Sequence, residues 1–154
     1  MASINKTYSF LDVNATLQGP GGTYSLSENG IANEGITIET NERVTTVYGA
    51  DGEWMHSLHA ARGGRVTIRA LRTGLINAFL SQLFAFDTSS SANTGQNLIT
   101  VTDLLRGDDW TIFGAALVKL PTNTYATEGG IVEWQFNAGD IHGAFGVGRP
   151  DANG

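Results

Sequence analysis

The chain has no cysteine, three prolines, and charged residues at only 16% of its 154 positions. Without cysteine there is no disulfide scaffold, no Cys-ligated zinc site, no iron–sulfur cluster and no thiol nucleophile. No run approaches the ~20 consecutive apolar residues of a membrane-spanning helix. The opening MASINKTYSFLDVNA has no apolar run of signal-peptide length, so export by that route is not expected. Cations are scarce as well: nine Lys and Arg against fifteen Asp and Glu give a formal net charge of -6. Gripping phosphates takes Lys and Arg contacts, so a tight nucleic-acid binder is not expected.

What is present is glycine, at 20 residues, and a 41% hydrophobic fraction that suits a globular protein. A chain of this length buries ~68–70% of its unfolded surface. The expectation is one domain over 1–154, with end segments at about 1–7 and 147–154 loose or docked elsewhere. Residues 8–18, YSFLDVNATLQ, alternate. Ser9, Leu11, Val13, Ala15 and Leu17 fall on one side, and Phe10, Asp12, Asn14, Thr16 and Gln18 on the other, which predicts a long strand. Gly19-Pro20-Gly21-Gly22 breaks it, and Thr23–Leu26 returns as a short strand. Residues 27–35 read as loop, and 36–48 as two extended pieces around Asn41. Gly49–Glu53 holds an Asp51-Gly52 turn that predicts a second hairpin.

Further strands are expected at 54–60, 65–72, 98–103, 108–120 and 130–136. In the second of these Val66, Ile68 and Ala70 alternate with Arg65, Thr67 and Arg69. One segment changes period. Leu75, Ile76, Phe79, Leu80, Leu83 and Phe84 recur at three- and four-residue steps, which predicts a helix over about 74–86 with Thr73 as N-cap. Residues 87–97, DTSSSANTGQN, read as a connection. Strands, one helix, then strands give an α+β, mainly β fold: two packed antiparallel sheets, a sandwich or half-barrel, with one flanking helix.

No catalytic constellation emerges, so no enzyme, cofactor or metal is expected. The Gly19–Gly22 cluster has no following helix and no Lys-Ser/Thr to close a phosphate loop, and Gly143, Gly146 and Gly148 lack strand–helix context. His56 and His59 are three apart, which in a strand puts them on opposite faces, and His142 is distant. Ser57 lies in no nucleophile elbow. Asp108 and Asp109 are adjacent and diverge on a strand. Charge is unevenly spread: Arg62, Arg65, Arg69 and Arg72 cluster, whereas Glu28, Glu34, Glu39, Glu42, Asp51 and Glu53 fill the preceding region. Such a pattern fits either solvated faces or complementary surfaces between copies.

The ordered set YSFLDV (8–13), GPGG (19–22), EGITIE (34–39), GADGE (49–53), MHSLHA (55–60), RVTIRALRT (65–73), NAFLSQL (77–83), GQN (95–97), VKLP (118–121) and GGIVEWQF (129–136) resembles the tail tube proteins of contractile-tailed bacteriophages. The resemblance runs from about residue 8 to 146. It implies a structural virion protein: hexameric rings whose inner sheets join into one barrel, stacked into a tube through which the genome passes. Implied partners are further copies of itself, the tail sheath, and baseplate, tape-measure and tail-terminator proteins, with DNA passing unbound. The implied place is the phage tail, assembled in the host cytoplasm. By position, Asp12, Asn14, Thr16 and Gln18 are candidates to line the channel. Glu42, Asp51, Gly52 and Glu53 mark a hairpin reaching an adjacent ring, and Arg62, Arg65, Arg69 and Arg72 a basic strand between subunits. The alternative reading is a monomeric β-sandwich that binds carbohydrate or protein, with Trp54, Trp110 and Trp134 as stacking platforms.

Overall fold

The structure, a computed structural model, describes residues 7–148. The parts of the two expected end segments at 1–6 and 149–154 lie outside the described residues. The described chain opens on a 3-10 turn, Phe10–Asp12, and continues into β1, Val13–Gly19. The strand therefore begins later than the alternation over 8–18 predicts. The hydroxyl of Ser9 accepts from the Leu11 amide at 3.2 Å, and the Asp12 amide donates to the Ser9 carbonyl at 3.2 Å. These local bonds compete with the extended conformation. Leu11, expected on the packed side, is 96% exposed. From Val13 onward the alternation holds, and Ala15 and Leu17 are fully buried.

The Gly19–Gly22 turn closes a hairpin onto β2, Gly22–Ser25. β3, Ile31–Thr40, starts inside the segment read as loop. Its register on β6, Gly64–Leu71, shifts between Ile31 and Ile36, so a bulge interrupts the pattern that marks a strand. β4, Val44–Tyr48, and β5, Trp54–Leu58, form a separate two-stranded hairpin. The helix α1 is Ile76–Asp87. Thr73 does not cap it. Leu75 stands at the N-cap without a side-chain bond, and the Ile76 amide donates to the Asn29 carbonyl at 3.1 Å. A neighbouring backbone thus satisfies one of the donors a capping side chain would take.

After α1 come β7, Asn97–Asp103, β8, Asp108–Leu117, β9, Ile131–Ala138, and β10, Asp140–Ala144. β8 ends three residues short of the predicted limit, and β10 extends the chain's sheet beyond the last predicted strand. All pairings are antiparallel, along the path β2-β1-β7-β8-β9-β6-β3, with β10 also on β8. The path folds at β8. Asp109–Phe113 pair with β10, whereas Ala116 and Leu117 pair with β9. Gly114 sits between the two pairings at φ 65°, a conformation glycine adopts without the Cβ penalty.

The result is the expected mainly β arrangement with one helix. Sheet one contains β2, β1, β7, β8 and β10; sheet two contains β8, β9, β6 and β3. Their inward side chains meet in one core: Leu17, Ile99 and Ile112 from the first, Val66, Ile68, Trp134 and Phe136 from the second. α1 closes this core with Ile76, Leu80 and Leu83. Phe79 stacks on Tyr24 at 5.2 Å, and Asn77 accepts from the Trp134 indole at 2.9 Å.

Candidate functional site

Alternation along β1 buries the odd positions, so Asn14, Thr16 and Gln18 stand on the outer face of sheet one. Register extends that face. Asn14 pairs with Thr102, Thr16 with Thr100 and with Ser25, and Gln18 with Thr23. On the next strand Thr100 pairs with Thr111 and Thr102 with Asp109. The outer face is therefore a ladder of hydroxyl and amide side chains over β2, β1 and β7, broken by Leu98 opposite Gln18, and it turns aromatic and charged toward β8 and β10, where Asp109, Phe113, Asp140 and His142 share it. Sheet one ends on β2 and β10, two short strands that are each paired on one side only.

Asp12, grouped with these residues by the sequence pattern, sits elsewhere. It closes the 3-10 turn, and its carboxylate accepts from Arg106 Nη1 at 3.0 Å. The same Nη1 donates to both carboxylate oxygens of Asp103 at 2.9 Å, and Nη2 donates to the Thr7 carbonyl. The guanidinium also lies 4.9 Å from the Tyr8 ring. Burial works hardest against this charge, but hydrogen bonds and attraction from Asp12 and Asp103 together outweigh it and raise the pKa. The segment after β10 returns to the same turn: Gly148 donates to the Arg106 carbonyl and Gly146 to Asp108. Both ends of the described chain are pinned on the β7–β8 turn, a role the sequence pattern does not reveal.

A second buried polar pair was hidden in the segment read as a connection. Asn97 donates to Asp87 at 2.6 Å and to the Ala115 carbonyl at 3.1 Å. Burial raises the pKa of Asp87, and the hydrogen bond from Asn97 pulls it back. The pair fastens the C-terminal end of α1 to the start of β7.

The β4–β5 hairpin carries the Glu42, Asp51, Gly52 and Glu53 group. Five-residue strands reach about 16 Å, and Gly52 at the tip has φ 89°. Register pairs Val44 with Leu58, Thr46 with His56 and Tyr48 with Trp54 on one face, and Thr45 with Ser57 and Val47 with Met55 on the other. Tyr48 is 72% and Trp54 66% exposed, and Val44, Val47, Met55 and Leu58 are exposed with them. His56 and His59 meet Thr46 and Thr45, at 2.8 Å and 3.0 Å, on opposite faces. His142 contacts Asp140 at 3.0 Å. Of the three tryptophans, Trp134 is buried, Trp110 half-buried against Phe145, and Trp54 alone projects.

The four arginines diverge in circumstance. Arg62 lies 3.6 Å from Asp140, and Arg69 3.2 Å from Glu133 and 2.7 Å from Thr37. Arg65 is exposed at the β3 Thr40 end of sheet two. Arg72 has its guanidinium 5.1 Å from the Tyr125 ring. They form no single cluster.

Residues 5–146 match the model of a protein family described as bacteriophage PhiTE tail tube protein. No curated protein matches. Among solved structures, a chain from the PVC sheath-tube complex of an extracellular contractile injection system, in its extended state, aligns at 12% identity and a TM-score of 0.50, covering 85% of this chain and 88% of that one. A chain of the six-fold symmetrised baseplate of the anti-feeding prophage aligns at 11% identity and a TM-score of 0.55, covering 88% and 93%. A third, from the PVC sheath/tube terminator in its extended state, aligns at 12% identity and 0.50, covering 90% and 96%. At these identities the likeness is one of fold.

Proposed function

This chain belongs to the family of the bacteriophage PhiTE tail tube protein, and from that premise we propose that it is the repeating subunit of the inner tube of a contractile tail. In this reading hexameric rings stack around a channel that DNA crosses on its way into the host. The observation that carries it is the β4–β5 hairpin. An isolated two-stranded hairpin is at best marginally stable in water, and this one leaves six large apolar side chains exposed. Contiguous apolar surface of that kind calls for a partner. The hairpin, rooted at Glu42 and tipped by Asp51, Gly52 and Glu53, reaches the next ring.

Sheet one supplies the ring. Its edge strands β2 and β10 pair with neighbouring copies, which removes edges that would otherwise recruit other strands. Its outer face, with Asn14, Thr16, Gln18, Thr100 and Thr102, lines the channel. Neutral hydroxyls and amides offer phosphates hydrogen bonds but no positive charge, and the -6 net charge discourages sticking. The basic strand, reduced to Arg65 and Arg72, which make no ion pair among the described residues, faces other subunits. By analogy with structures of a sheath-tube complex, a baseplate and a sheath/tube terminator, the tube meets a sheath outside and baseplate and terminator proteins at its ends. A tape-measure protein occupies it before DNA does. Assembly takes place in the host cytoplasm, and the product resides in the virion. Purified full-length protein viewed by negative-stain microscopy should show rings and hollow tubes. Sedimentation as a monomer at all accessible concentrations would overturn the reading. Lysine at Thr16 and Thr100 should leave tubes intact and slow genome ejection; failure to assemble would remove sheet one from the channel.

A further inference from the structure

We propose that the pocket between α1 and the segment joining β8 to β9 binds a small monocarboxylate, one carboxyl group on a short apolar stem. The site goes beyond the tube reading and stands independently of assembly. Three parts of the chain converge there: Arg72 just after β6, Asn77 and Ser81 on α1, and Leu120, Pro121 and Asn123 on the joining segment. They enclose about 270 Å³ over Val132 and Trp134 from the start of β9. Sites for drug-sized ligands run from ~300 to ~1,000 Å³, so this one suits a ligand of few atoms.

The Arg72 guanidinium lies over the Tyr125 ring, 5.1 Å from its centroid. Stacking occupies a face of the planar group and leaves its in-plane N–H donors available. Those donors make no ion pair among the described residues. The backbone beneath is fixed: the Arg72 amide donates to the Gly130 carbonyl at 3.2 Å, and the Arg72 carbonyl accepts from Asn77 Nδ2 at 3.3 Å. Asn77 is itself fully used, because its Oδ1 accepts from the Trp134 indole at 2.9 Å and its Nδ2 also donates to the Leu71 carbonyl at 2.8 Å. The Ser81 hydroxyl and the Asn123 amide stand at the same pocket as further donors.

What the pocket lacks narrows the ligand. No carboxylate lines it among the described residues, so an organic cation finds no counter-charge. One guanidinium balances one negative charge, and a phosphate dianion would bring a second into partly apolar surroundings. Trp134 is 2% exposed with its N–H engaged, so it offers no ring face for a sugar to stack on. A carboxylate matches the guanidinium fork through two parallel hydrogen bonds, while Leu120, Pro121 and Val132 cover the stem. This chemistry has two sources, a free aliphatic acid and the C-terminal residue of another chain, and the test separates them.

4-Methylpentanoate is the probe for a free acid, and N-acetyl-leucine the probe for a chain terminus. In calorimetric titration of unassembled full-length protein, at least one should bind with a Kd of about 1 mM or tighter. The tighter of the two identifies the source. 4-Methylpentanamide, the same shape without the charge, should bind about tenfold more weakly, and inorganic phosphate no better than the amide. Arg72→Gln should weaken the acid about tenfold, and Arg72→Lys, which keeps the charge and loses the fork, about threefold. Asn123→Asp leaves the Arg72–Tyr125 contact in place and should also weaken binding, by like-charge repulsion at the mouth. Circular dichroism confirms that each variant is folded. Neither probe binding at about 10 mM, equal affinity for acid and amide, phosphate as tight as the acid, or undiminished binding in folded Arg72→Gln and Asn123→Asp would overturn the site.

Discussion

Replacing Tyr48 and Trp54 with threonine separates assembly from folding. The two side chains face each other near the hairpin tip, and threonine keeps the strand preference of the positions. An aromatic side chain can bury about 200 Å², and these two are 72% and 66% exposed, so roughly 140 Å² of each awaits a partner. At about 25 cal/mol/Å² that area is worth about 3.5 kcal/mol per residue. Ordering the arm and imperfect burial take back about half, leaving about 2 kcal/mol each, in the range of interface hot spots. Each substitution should then raise the critical concentration for tube formation about thirtyfold. Thermal unfolding of the unassembled chain should barely move, because neither side chain enters the core. Sedimentation across a dilution series measures the first quantity and circular dichroism the second. Tubes at wild-type concentrations, or a melting temperature lowered as far as by a core deletion, would refute the reasoning.

The core itself supplies the contrast. Phe136 is fully buried between the sheets, so Phe136→Ala should cost about 3–5 kcal/mol and lower the melting temperature of the unassembled chain by roughly 6–20 °C; a loss below about 1 kcal/mol would displace Phe136 from the core. Asp87 sets a pH dependence. Its folded-state pKa is raised from 3.8 by burial, so the folded chain holds that proton more tightly than the unfolded one. Stability from this group is full below about 3.8 and is lost as pH rises through the raised value. Asp87→Asn keeps an acceptor for Asn97 and should flatten stability against pH across that window in chemical denaturation. An unchanged slope would sink the assignment.

Much of the fold was legible because side-chain period is backbone geometry. Val66, Ile68 and Ala70 alternate with Arg65, Thr67 and Arg69, and the structure buries the first three and leaves the others outward. Failures came where tertiary contacts override local pattern. Asp87 lay in a polar stretch, yet Ile76, Leu80, Leu83 and Asp87 are the buried residues of α1, spaced four, three and four apart. Extending the apolar stripe by one turn would have found it. Arg106 gave no such signal. It stands in a short turn, and its partner Asp12 is 94 positions away. β10 was missed because its alternation carries one buried apolar residue, Ile141.

The hairpin shows where a single chain's pattern stops being self-explanatory. A strand packed on one face alternates; one packed on both is apolar throughout. β4 and β5 follow neither rule: Val44, Tyr48, Trp54 and Leu58 lie on one face around Thr46 and His56, and Val47 and Met55 lie on the other beside Thr45 and Ser57, so apolar side chains occur on both. Within the chain they are buried on neither. Apolar side chains on both faces, covered by nothing else in the chain, are what the proposed tube would account for by placing copies of the same chain against the hairpin. The outer face of sheet one has a different character, mostly polar over β2, β1 and β7, with Asp109, Asp140 and His142 toward its β10 edge. One sequence thus carries two distinct surface chemistries: an arm with apolar side chains exposed on both faces, and a largely polar sheet face bordered by two edge strands each paired on one side.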